Sequence, residues 1–293
     1  ERAGTPLYLK LENLQQTGSF KIRGATNRML SLTEEERARG VLAISSGNHG
    51  RAVAYLARRL GIQAVICMSS RVPGNKVEAI RHLGAQVVVH GANYEEAEVH
   101  ARHLLAQRGL TMVEPFDDPL VIAGQATISL EILEDLPRVA TVIVPLSGGG
   151  LLSGIALAMK KANPKIRTVG AMMDRAPVMY HSLQAGHLIT LDEEDTLADA
   201  LAGNIALDNR YTFRLVQKYV DEVVLVSETE IAEAMAFSLE AHRLVVEGGA
   251  AVGIAAVSQR KAAPLAGPAV VVVSGGNADL ESLLGIMSQR REP

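Results

Sequence analysis

A lysine at position 21, in the stretch TGSFKIRGA (residues 17–25), is the first residue whose surroundings suggest chemistry. A lysine near a helix start is ordinarily solvated, or lies along apolar surface with its charged end in water. In a suitable pocket, however, a lysine amine forms a Schiff base with a carbonyl compound. Lys21 is therefore a candidate nucleophile if other parts of the chain provide a site for a carbonyl cofactor.

The segment SGGGLLSG (147–154) is the strongest indication of such a site, and it follows the apolar run TVIVPL (141–146). Three consecutive glycines between a strand and a helix let the backbone wrap closely around a phosphate, although a tight turn is the alternative. A P-loop would place a lysine after the glycines, whereas Leu151 and Leu152 follow here. A nicotinamide fingerprint fits poorly, because its third glycine position falls on Ser153. A phosphate site and a Schiff-base lysine together indicate pyridoxal 5'-phosphate (PLP).

Two more polar loops follow apolar runs. SSGNHG (45–50) follows VLAI, and backbone N–H groups at the start of a helix, with the hydroxyls of Ser45 and Ser46, attract an anion. The alternative is a simple helix cap made by Ser46 or Asn48. In SGGNADL (274–280), the hydroxyl of Ser274 at a strand end suits a ring nitrogen or a phosphate, the alternative being a turn capped by Asn277.

The elements that position these loops alternate along the chain. Short apolar runs separated by helical stretches predict parallel strands covered on both faces, in two α/β lobes. The predicted strands are residues 41–44, 63–68, 85–90, 111–114, 141–146, 166–172, 222–226 and 269–274. TEEE (33–36) and SETE (227–230) have the form of capping boxes, which predicts a helix start at each.

The composition excludes several classes of protein. The chain has 293 residues, 48% of them hydrophobic, and a net charge of -3, which gives no reason to expect a nucleic-acid partner or a charged membrane surface. With 3% aromatic residues and no Trp, a stacking surface for single strands is also excluded. A single cysteine, Cys67, indicates a reducing, cytoplasmic setting. We find neither a membrane-spanning apolar run nor a signal peptide.

Five blocks, in order, resemble the fold-type II PLP enzymes, and most closely the serine/threonine dehydratases (threonine ammonia-lyases) and serine racemases. The blocks are LKLENLQQTGSFKIRGA, SSGNHGRAVAYLA, EPFDDPLVIAGQATISLEIL, VPLSGGGLLSGIALA and VVVVSGGNADL. The resemblance implies a two-lobed fold similar to the tryptophan synthase β chain, each lobe a mostly parallel sheet covered by helices. Residues 1–38 and 119–293 would form a large PLP-binding domain, and 39–118 a small inserted one.

The same resemblance implies roles for individual residues. Lys21 would hold the cofactor covalently and act as a base at the substrate Cα, and Ser46 resembles the second base of the racemases. Phe20 would lie against the pyridine ring, Asn48 would bond the phenolic oxygen and Ser274 would face the ring nitrogen. The phosphate would be held by Ser147, Gly148, Gly149, Gly150 and Leu151, and the substrate carboxylate by Ser45, Gly47 and His49.

The implied reaction is β-elimination of a β-hydroxy amino acid such as L-threonine or L-serine, which gives a 2-oxo acid and ammonia. Ser147 replaces the first of the family's usual four glycines, but its N–H still donates. Met172 and Val178 stand where many members have acidic cation ligands, so we expect no divalent metal site of that type. His100 and His103 lack partner ligands, and a solvated helix face is expected there.

The segment TLADALAGNIALDNRYTF (196–213) departs from the threonine dehydratases. Ala200 replaces a usual glycine, and LDNRYTF is similar to the dehydratases of hydroxyectoine utilisation. A hydroxyectoine-utilisation dehydratase and a serine racemase-like enzyme are therefore the alternatives within the family. A non-catalytic PLP- or nucleotide-binding sensor is the alternative outside it, but binding alone needs neither Lys21 nor Ser46.

The resemblance also sets expectations for assembly. We expect a homodimer or homotetramer that acts on a small amino-acid-like substrate. Most of the family's segment before TPLYLKLEN is missing, and no regulatory domain follows the catalytic region, so feedback control through such a domain is not expected.

Overall fold

A computed structural model describes residues 4–72 and 74–289 of the protein. The strands in these ranges are β1 (Leu7–Leu11), β2 (Val41–Ile44), β3 (Ala64–Met68), β4 (Gln86–Val89), β5 (Thr111–Met112), β6 (Thr141–Pro145), β7 (Arg167–Met173), β8 (Glu222–Val226) and β9 (Ala269–Val273). The helices are α1 (Lys21–Leu30), α2 (Glu34–Arg39), α3 (Asn48–Leu60), α4 (Gly74–His82), α5 (Tyr94–Arg108), α6 (Pro119–Asp135), α7 (Gly150–Ala162), α8 (Val178–Ala185), α9 (Thr212–Tyr219), α10 (Glu228–His242), α11 (Gly248–Ser258) and α12 (Leu280–Gln289). Every predicted strand is present, and no strand end differs from its predicted position by more than two residues.

The chain forms two compact units. The split unit consists of Glu1–Phe20 and Gln125–Pro293, and the continuous unit of Lys21–Gly124. The predicted small domain began at residue 39, whereas the continuous unit begins at Lys21. The boundary differs because Ala25 and Met29 of α1 lie in the same apolar core as the side chains of α3. Helix α1 therefore belongs with the sheet that α3 covers.

The continuous unit is built on a four-stranded parallel sheet with the order β4-β3-β2-β5. Alternate residues of β2 enter different cores, since Val41 and Ala43 pack on one face and Leu42 and Ile44 on the other. A strand that is apolar on both faces is expected where helices cover both sides of a parallel sheet. This arrangement confirms the α/β prediction for the region.

The split unit contains a five-stranded parallel sheet with the order β1-β9-β6-β7-β8. The sequence analysis did not predict β1. This strand lies at the sheet edge and is only partly buried, so it lacks the continuous apolar run used to recognise the others. By contrast, α11 is buried along almost its whole length and packs against the sheet as a central part of the core.

The order of strands in the split unit places three loops along one sheet edge. Strands β1, β9 and β6 are adjacent and parallel, so their carboxyl ends open on the same side. Ligands of open α/β sheets bind outside these carboxyl ends. The segments that follow, residues 12–20, 274–279 and 146–150, are therefore positioned by the sheet itself.

Helix starts of two kinds occur in the described residues. The predicted capping boxes at Thr33 and Ser227 are confirmed, and each hydroxyl accepts a hydrogen bond from the backbone N–H three residues later. The N-caps of α3 and α7 are Gly47 and Gly149, with no side-chain cap bond. Separately, no helix in residues 4–72 and 74–289 is both long and apolar enough to cross a membrane.

Candidate active site

The glycine loop forms a bare helix N-terminus. Gly149, the N-cap residue of α7, has a φ of +89°, and no side chain caps this helix end. The first N–H groups of a helix have no partner within the helix, and the helix dipole favours an anion beside them. A Cβ atom built on Gly149 would lie 3.1 Å from Cβ of Thr212. The conformation and the close packing both require glycine here, and the loop suits a phosphate.

Ser274 lies directly after β9 and is only 4% exposed. Its carbonyl accepts a hydrogen bond of 2.9 Å from the N–H of Phe20, which places Phe20 beside the strand end. The alternative in which Asn277 caps the next helix is wrong, because Asp279 accepts the bond from Ser282 N at the start of α12. Phe20, Ser274 and the glycine loop thus all lie at the carboxyl edge of the split unit's sheet.

Lys21 is the first residue of α1 and begins the continuous unit. Its Nζ donates a 2.8 Å hydrogen bond to the carbonyl oxygen of Pro115. The ammonium group is thereby directed into the protein rather than into solvent, unlike an ordinary surface lysine. This contact argues against the solvated interpretation of Lys21.

The SSGNHG loop turns into α3 through its glycine. Helix α3 begins at Asn48 and its N-cap residue is Gly47, so the alternative with Ser46 or Asn48 as N-cap is wrong. The N–H of Gly47 donates to Oγ of Ser45 over 3.3 Å. Ser45, Ser46, Gly47 and Asn48 are partly exposed. The first N–H groups of a helix have no partner within the helix, so a helix start of this kind suits an anion.

His49 differs from its neighbours because its imidazole faces inward. The ring is 3% exposed, and its Nε2 lies 2.8 Å from the carbonyl oxygen of Val113. Since a carbonyl only accepts, Nε2 holds the proton. Burial, with a smaller contribution from the charge of Lys21, lowers the pKa of His49 to about 3. The imidazole is therefore neutral, and only the backbone N–H of His49 remains suitable for a substrate carboxylate.

The extended segment around residue 114 connects two of these residues. His49 bonds the carbonyl of Val113, and Lys21 bonds the carbonyl of Pro115. The charge of Lys21 also acts on His49, so both side chains lie in one part of the continuous unit. The structure thus brings Lys21 and the SSGNHG loop together within this unit.

The segment that departs from the threonine dehydratases packs behind the glycine loop. Asn209 donates to Oγ1 of Thr212 over 2.7 Å and accepts from the N–H of Phe213 over 3.1 Å. The carbonyl of Thr212 accepts a 3.2 Å bond from the hydroxyl of Ser153, in the first turn of α7. Residues 209–213 are therefore part of the surroundings of the glycine loop.

The positions at which family members have cation ligands are apolar here. Met172 is buried at the end of β7, and Val178 is buried at the start of α8. Within the described ranges, no group of three or more His, Cys, Asp or Glu side chains is arranged to hold a metal ion.

A buried acid beside the site, Glu247, was not predicted from the sequence. Glu247 is 6% exposed, and its carboxylate accepts a 3.1 Å hydrogen bond from the N–H of Asn277. The signal was a single charge within the apolar run LVVEGGAAVGIAAV (244–257). A charge in such a run is expected to be buried and bonded.

The comparison with known proteins agrees with this geometry. The sequence profile of the family described as pyridoxal-phosphate dependent enzyme matches residues 1–275. An L-threonine ammonia-lyase of Thermotoga maritima is 46% identical over 290 residues, 99% of this chain and 71% of that protein. A catabolic L-threonine dehydratase of Escherichia coli is 40% identical over 282 residues, 96% of this chain and 85% of that protein. The structure of maize serine racemase aligns with a TM-score of 0.91 and 37% identity, covering 99% of this chain and 89% of that one.

The chain belongs to the family of pyridoxal-phosphate dependent enzymes, and PLP is its cofactor. Its two parallel sheets covered by helices are the fold-type II architecture that the sequence predicted. The residues present fit the cofactor, since the N-cap of α7 is a glycine with a positive φ and has no side chain that could cover the first N–H groups of the helix. Lys21 supplies an amine bonded to a neutral carbonyl, and Ser274 supplies a hydroxyl at a strand end.

Proposed function

We propose that this protein is a lyase that eliminates water from a β-hydroxy amino acid such as L-threonine or L-serine. Water then hydrolyses the enamine product, which releases ammonia and leaves a 2-oxo acid. The proposal depends most on Lys21, whose Nζ is directed inward at the start of α1. It is also supported by relatives named threonine ammonia-lyase and threonine dehydratase that cover nearly the whole chain. PLP, when bound, supplies an electron sink for the pair released at the substrate Cα.

Lys21 has two tasks in this proposal. Its Nζ would hold the cofactor covalently through the aldehyde carbon, and it would be free to act as a base once the substrate is bound. The free amine of Lys21 would act as the base at the substrate Cα, and the β-hydroxyl would leave as water with a proton from a general acid, for which the resemblance suggests the cofactor phosphate. The hydrogen bond from Nζ to the carbonyl of Pro115 shows where the free amine lies in the structure.

The two bare helix ends hold the two anionic groups. Residues 147–151 bind the phosphate with the backbone N–H groups of the α7 N-terminus. Ser45, Gly47 and the N–H of His49 hold the substrate carboxylate at the N-terminus of α3. Asn48 hydrogen-bonds the phenolic oxygen of the cofactor, and Phe20 packs against its ring. These assignments follow from the resemblance and fit the helix starts described above.

Ser274 sets the electronic character of the cofactor. A neutral hydroxyl facing the ring nitrogen of the cofactor would leave that nitrogen mostly unprotonated, whereas a carboxylate would favour protonation. A cofactor held in this way would supply a weaker electron sink, which suits elimination. The position of Ser274 at the buried end of β9 therefore supports lyase chemistry.

Two other activities within the family have specific support. Ser46, on the partly exposed SSGNHG loop, is the candidate second base for a serine racemase-like reaction. Residues 209–213 pack behind the glycine loop and resemble those of hydroxyectoine-utilisation dehydratases. Incubation with L-threonine, L-serine and hydroxyectoine, with assays for 2-oxo acid, ammonia and D-serine, separates the three.

The central experiment is an absorption spectrum of the purified protein before and after borohydride. We expect a Schiff-base band that borohydride abolishes, and no such band in Lys21→Ala, because the covalent link needs the Lys21 amine. A colourless protein that cannot be reconstituted with PLP would falsify the proposal. An intact band in Lys21→Ala would also exclude the assigned role of Lys21.

The setting of the enzyme is part of the proposal. The buried free thiol of Cys67 fits a reducing, cytoplasmic compartment. The resemblance suggests a homodimer or homotetramer, which sedimentation of the purified protein would establish.

A further inference from the structure

Two segments of the split unit are joined as a short antiparallel pair. Ser19 forms an isolated bridge with Gly275, next to the bond from Phe20 N to Ser274 O. The N–H of Gly276 donates 2.9 Å to the carbonyl of Gly18. Backbone hydrogen bonds therefore fix the position of Phe20, the residue before Lys21, relative to Ser274 at the end of β9.

Glu247 holds one side of this pair. Its carboxylate accepts from the N–H of Asn277 over 3.1 Å, and its own N–H donates to the carbonyl of Gly275 over 3.2 Å. The carboxylate lies so close that a Cβ on Gly275 would be 2.2 Å from Oε1 of Glu247. The turn after Ser274 therefore has no freedom to move toward Glu247.

Asn277 holds the other side. Its Nδ2 donates a 2.9 Å hydrogen bond to the carbonyl of Thr17. Gly18 has a φ of +74°, and a Cβ there would lie 2.6 Å from Oδ1 of Asn277. Asn277 thus connects the turn that Glu247 fixes to the turn that precedes Phe20.

Stability alone does not account for this choice of residues. A buried carboxylate pays a desolvation cost that a well-packed apolar group avoids. In the same region, the buried atoms Asn13 Oδ1, Thr17 Oγ1 and Ser19 Oγ have no hydrogen-bond partner within the described residues. Each such atom costs about 1–3 kcal/mol. Buried polar groups that lower stability in this way are expected where the position of the backbone matters more than stability.

We propose that Glu247 and Asn277 are positioning residues, which fix the peptide leading into Lys21 relative to the ring-nitrogen partner Ser274. This inference depends on the roles proposed above for Lys21 and Ser274. Neither residue needs to touch the substrate. Their effect is to keep the amine of Lys21 at a constant place when it leaves the cofactor and returns as a base.

The test uses the full-length enzyme reconstituted with PLP, with L-threonine as substrate. We expect kcat to fall about tenfold in Asn277→Ala, with KM changed by less than about twofold. The same result is expected for Asn277→Asp, which has nearly the same shape but lacks the N–H donor to the carbonyl of Thr17. Glu247→Gln keeps an oxygen that accepts from Asn277 N–H and retains activity within about twofold, whereas Glu247→Ala behaves like Asn277→Ala. Because the two residues act through one turn, the double variant Glu247→Ala/Asn277→Ala loses no more than either single variant.

Asn93→Ala is the matched control. Asn93 also makes a side-chain to backbone bond, as the N-cap of α5, and its loss lowers stability by about 1 kcal/mol with no change in kcat. The second readout is the fraction of Lys21 labelled by borohydride, measured by mass spectrometry, which falls in Asn277→Asp and stays constant in Asn93→Ala. If Asn277→Ala and Asn277→Asp lose melting temperature as the control does, with kcat and labelling unchanged, the positioning role is wrong.

The two readouts separate this inference from the proposed function. A wild-type protein that is labelled at Lys21 but releases no 2-oxo acid from either substrate overturns the proposed reaction. The labelled fraction in Asn277→Asp then still decides the role of Asn277. A labelled fraction equal to that of the wild type overturns the positioning role, whatever the substrate is.

Discussion

Two pairs of helix starts differ in how their polar residues are used. At α2 and α10, Thr33 and Ser227 cap the backbone, and a glutamate three residues later completes each box. At α3 and α7, serines also precede the helix, but glycine is the N-cap and no side chain closes the end. A hydroxyl near a helix start therefore stabilises the helix in the first pair and leaves the backbone free for a ligand in the second. The intervening glycine marks the difference.

The largest effect is expected when the N-cap glycine of α7 is replaced. Gly149→Ala places a Cβ 3.1 Å from Thr212 at a φ of +89°, so the loop must shift and displace its N–H groups. We expect the Kd for PLP, measured by titrating the apoenzyme, to rise about tenfold or more, because the displaced N–H groups no longer point at the phosphate.

Gly186→Ala is the control for this effect. Gly186 also has a positive φ, of +76°, but a Cβ there meets nothing within 4 Å, and it ends α8. Its replacement lowers stability and leaves the Kd for PLP unchanged. Equal effects of the two variants on PLP binding would mean that strain, and not the cradle, explains the loss.

The second test uses His49, the buried histidine in the first turn of α3; the starts of α2, α7 and α10 have no such residue. The folded pKa of His49 is about 3, below its usual 6.5, so the unfolded state binds the extra proton between these values. Its contribution to stability is complete above about pH 6.5 and is lost as the pH falls toward 3, by at most about 1.4 kcal/mol per pH unit. Urea unfolding at pH 7, 5 and 4 measures this slope.

In His49→Gln the slope from this group disappears, since glutamine donates to the carbonyl of Val113 without titrating. His187→Gln, at an exposed position, keeps the wild-type slope. If His49→Gln is as acid-sensitive as the wild type, His49 is not the group responsible.

The smallest effect is expected at a capped helix. Ser227→Ala removes the cap of α10 and lowers the free energy of unfolding by about 1 kcal/mol, with kcat, KM and the Kd for PLP unchanged. Ser45→Ala shows the opposite pattern, a KM raised about tenfold with stability changed by less than about 0.5 kcal/mol. Denaturation curves and steady-state kinetics on both variants measure the contrast. A loss of stability alone in Ser45→Ala would make α3 a capped helix like the others.

Local patterns predicted most of the fold. Buried parallel strands are continuous apolar runs, and capping boxes need residues only three apart, so both are visible in short windows. Strand β1 was missed because an edge strand has no such run. The boundary at Lys21 was missed because the packing of α1 on α3 depends on side chains far apart in the sequence.

The sequence predicted which residues belong to the candidate site, but it did not predict the directions of their side chains. Lys21, the glycine loop and Ser274 were visible as residue types after strands. The inward direction of the His49 ring depends on a carbonyl at Val113, and the bond from Asn277 reaches Thr17 near the other end of the chain. Contacts of that kind have no local pattern, although the lone Glu247 in its apolar run did signal a buried partner.

The pairing of β1 with β9 has a consequence for synthesis of the protein. Leu7–Leu11 is synthesised long before Ala269–Val273, which is its one strand partner in residues 4–72 and 74–289. Contacts between such distant segments form late, and an unpaired strand is prone to aggregation meanwhile. The continuous unit, whose four strands all lie between residues 41 and 112, is complete much earlier. We therefore expect nascent chains to fold Lys21–Gly124 first and to depend on chaperones until the final strand is made.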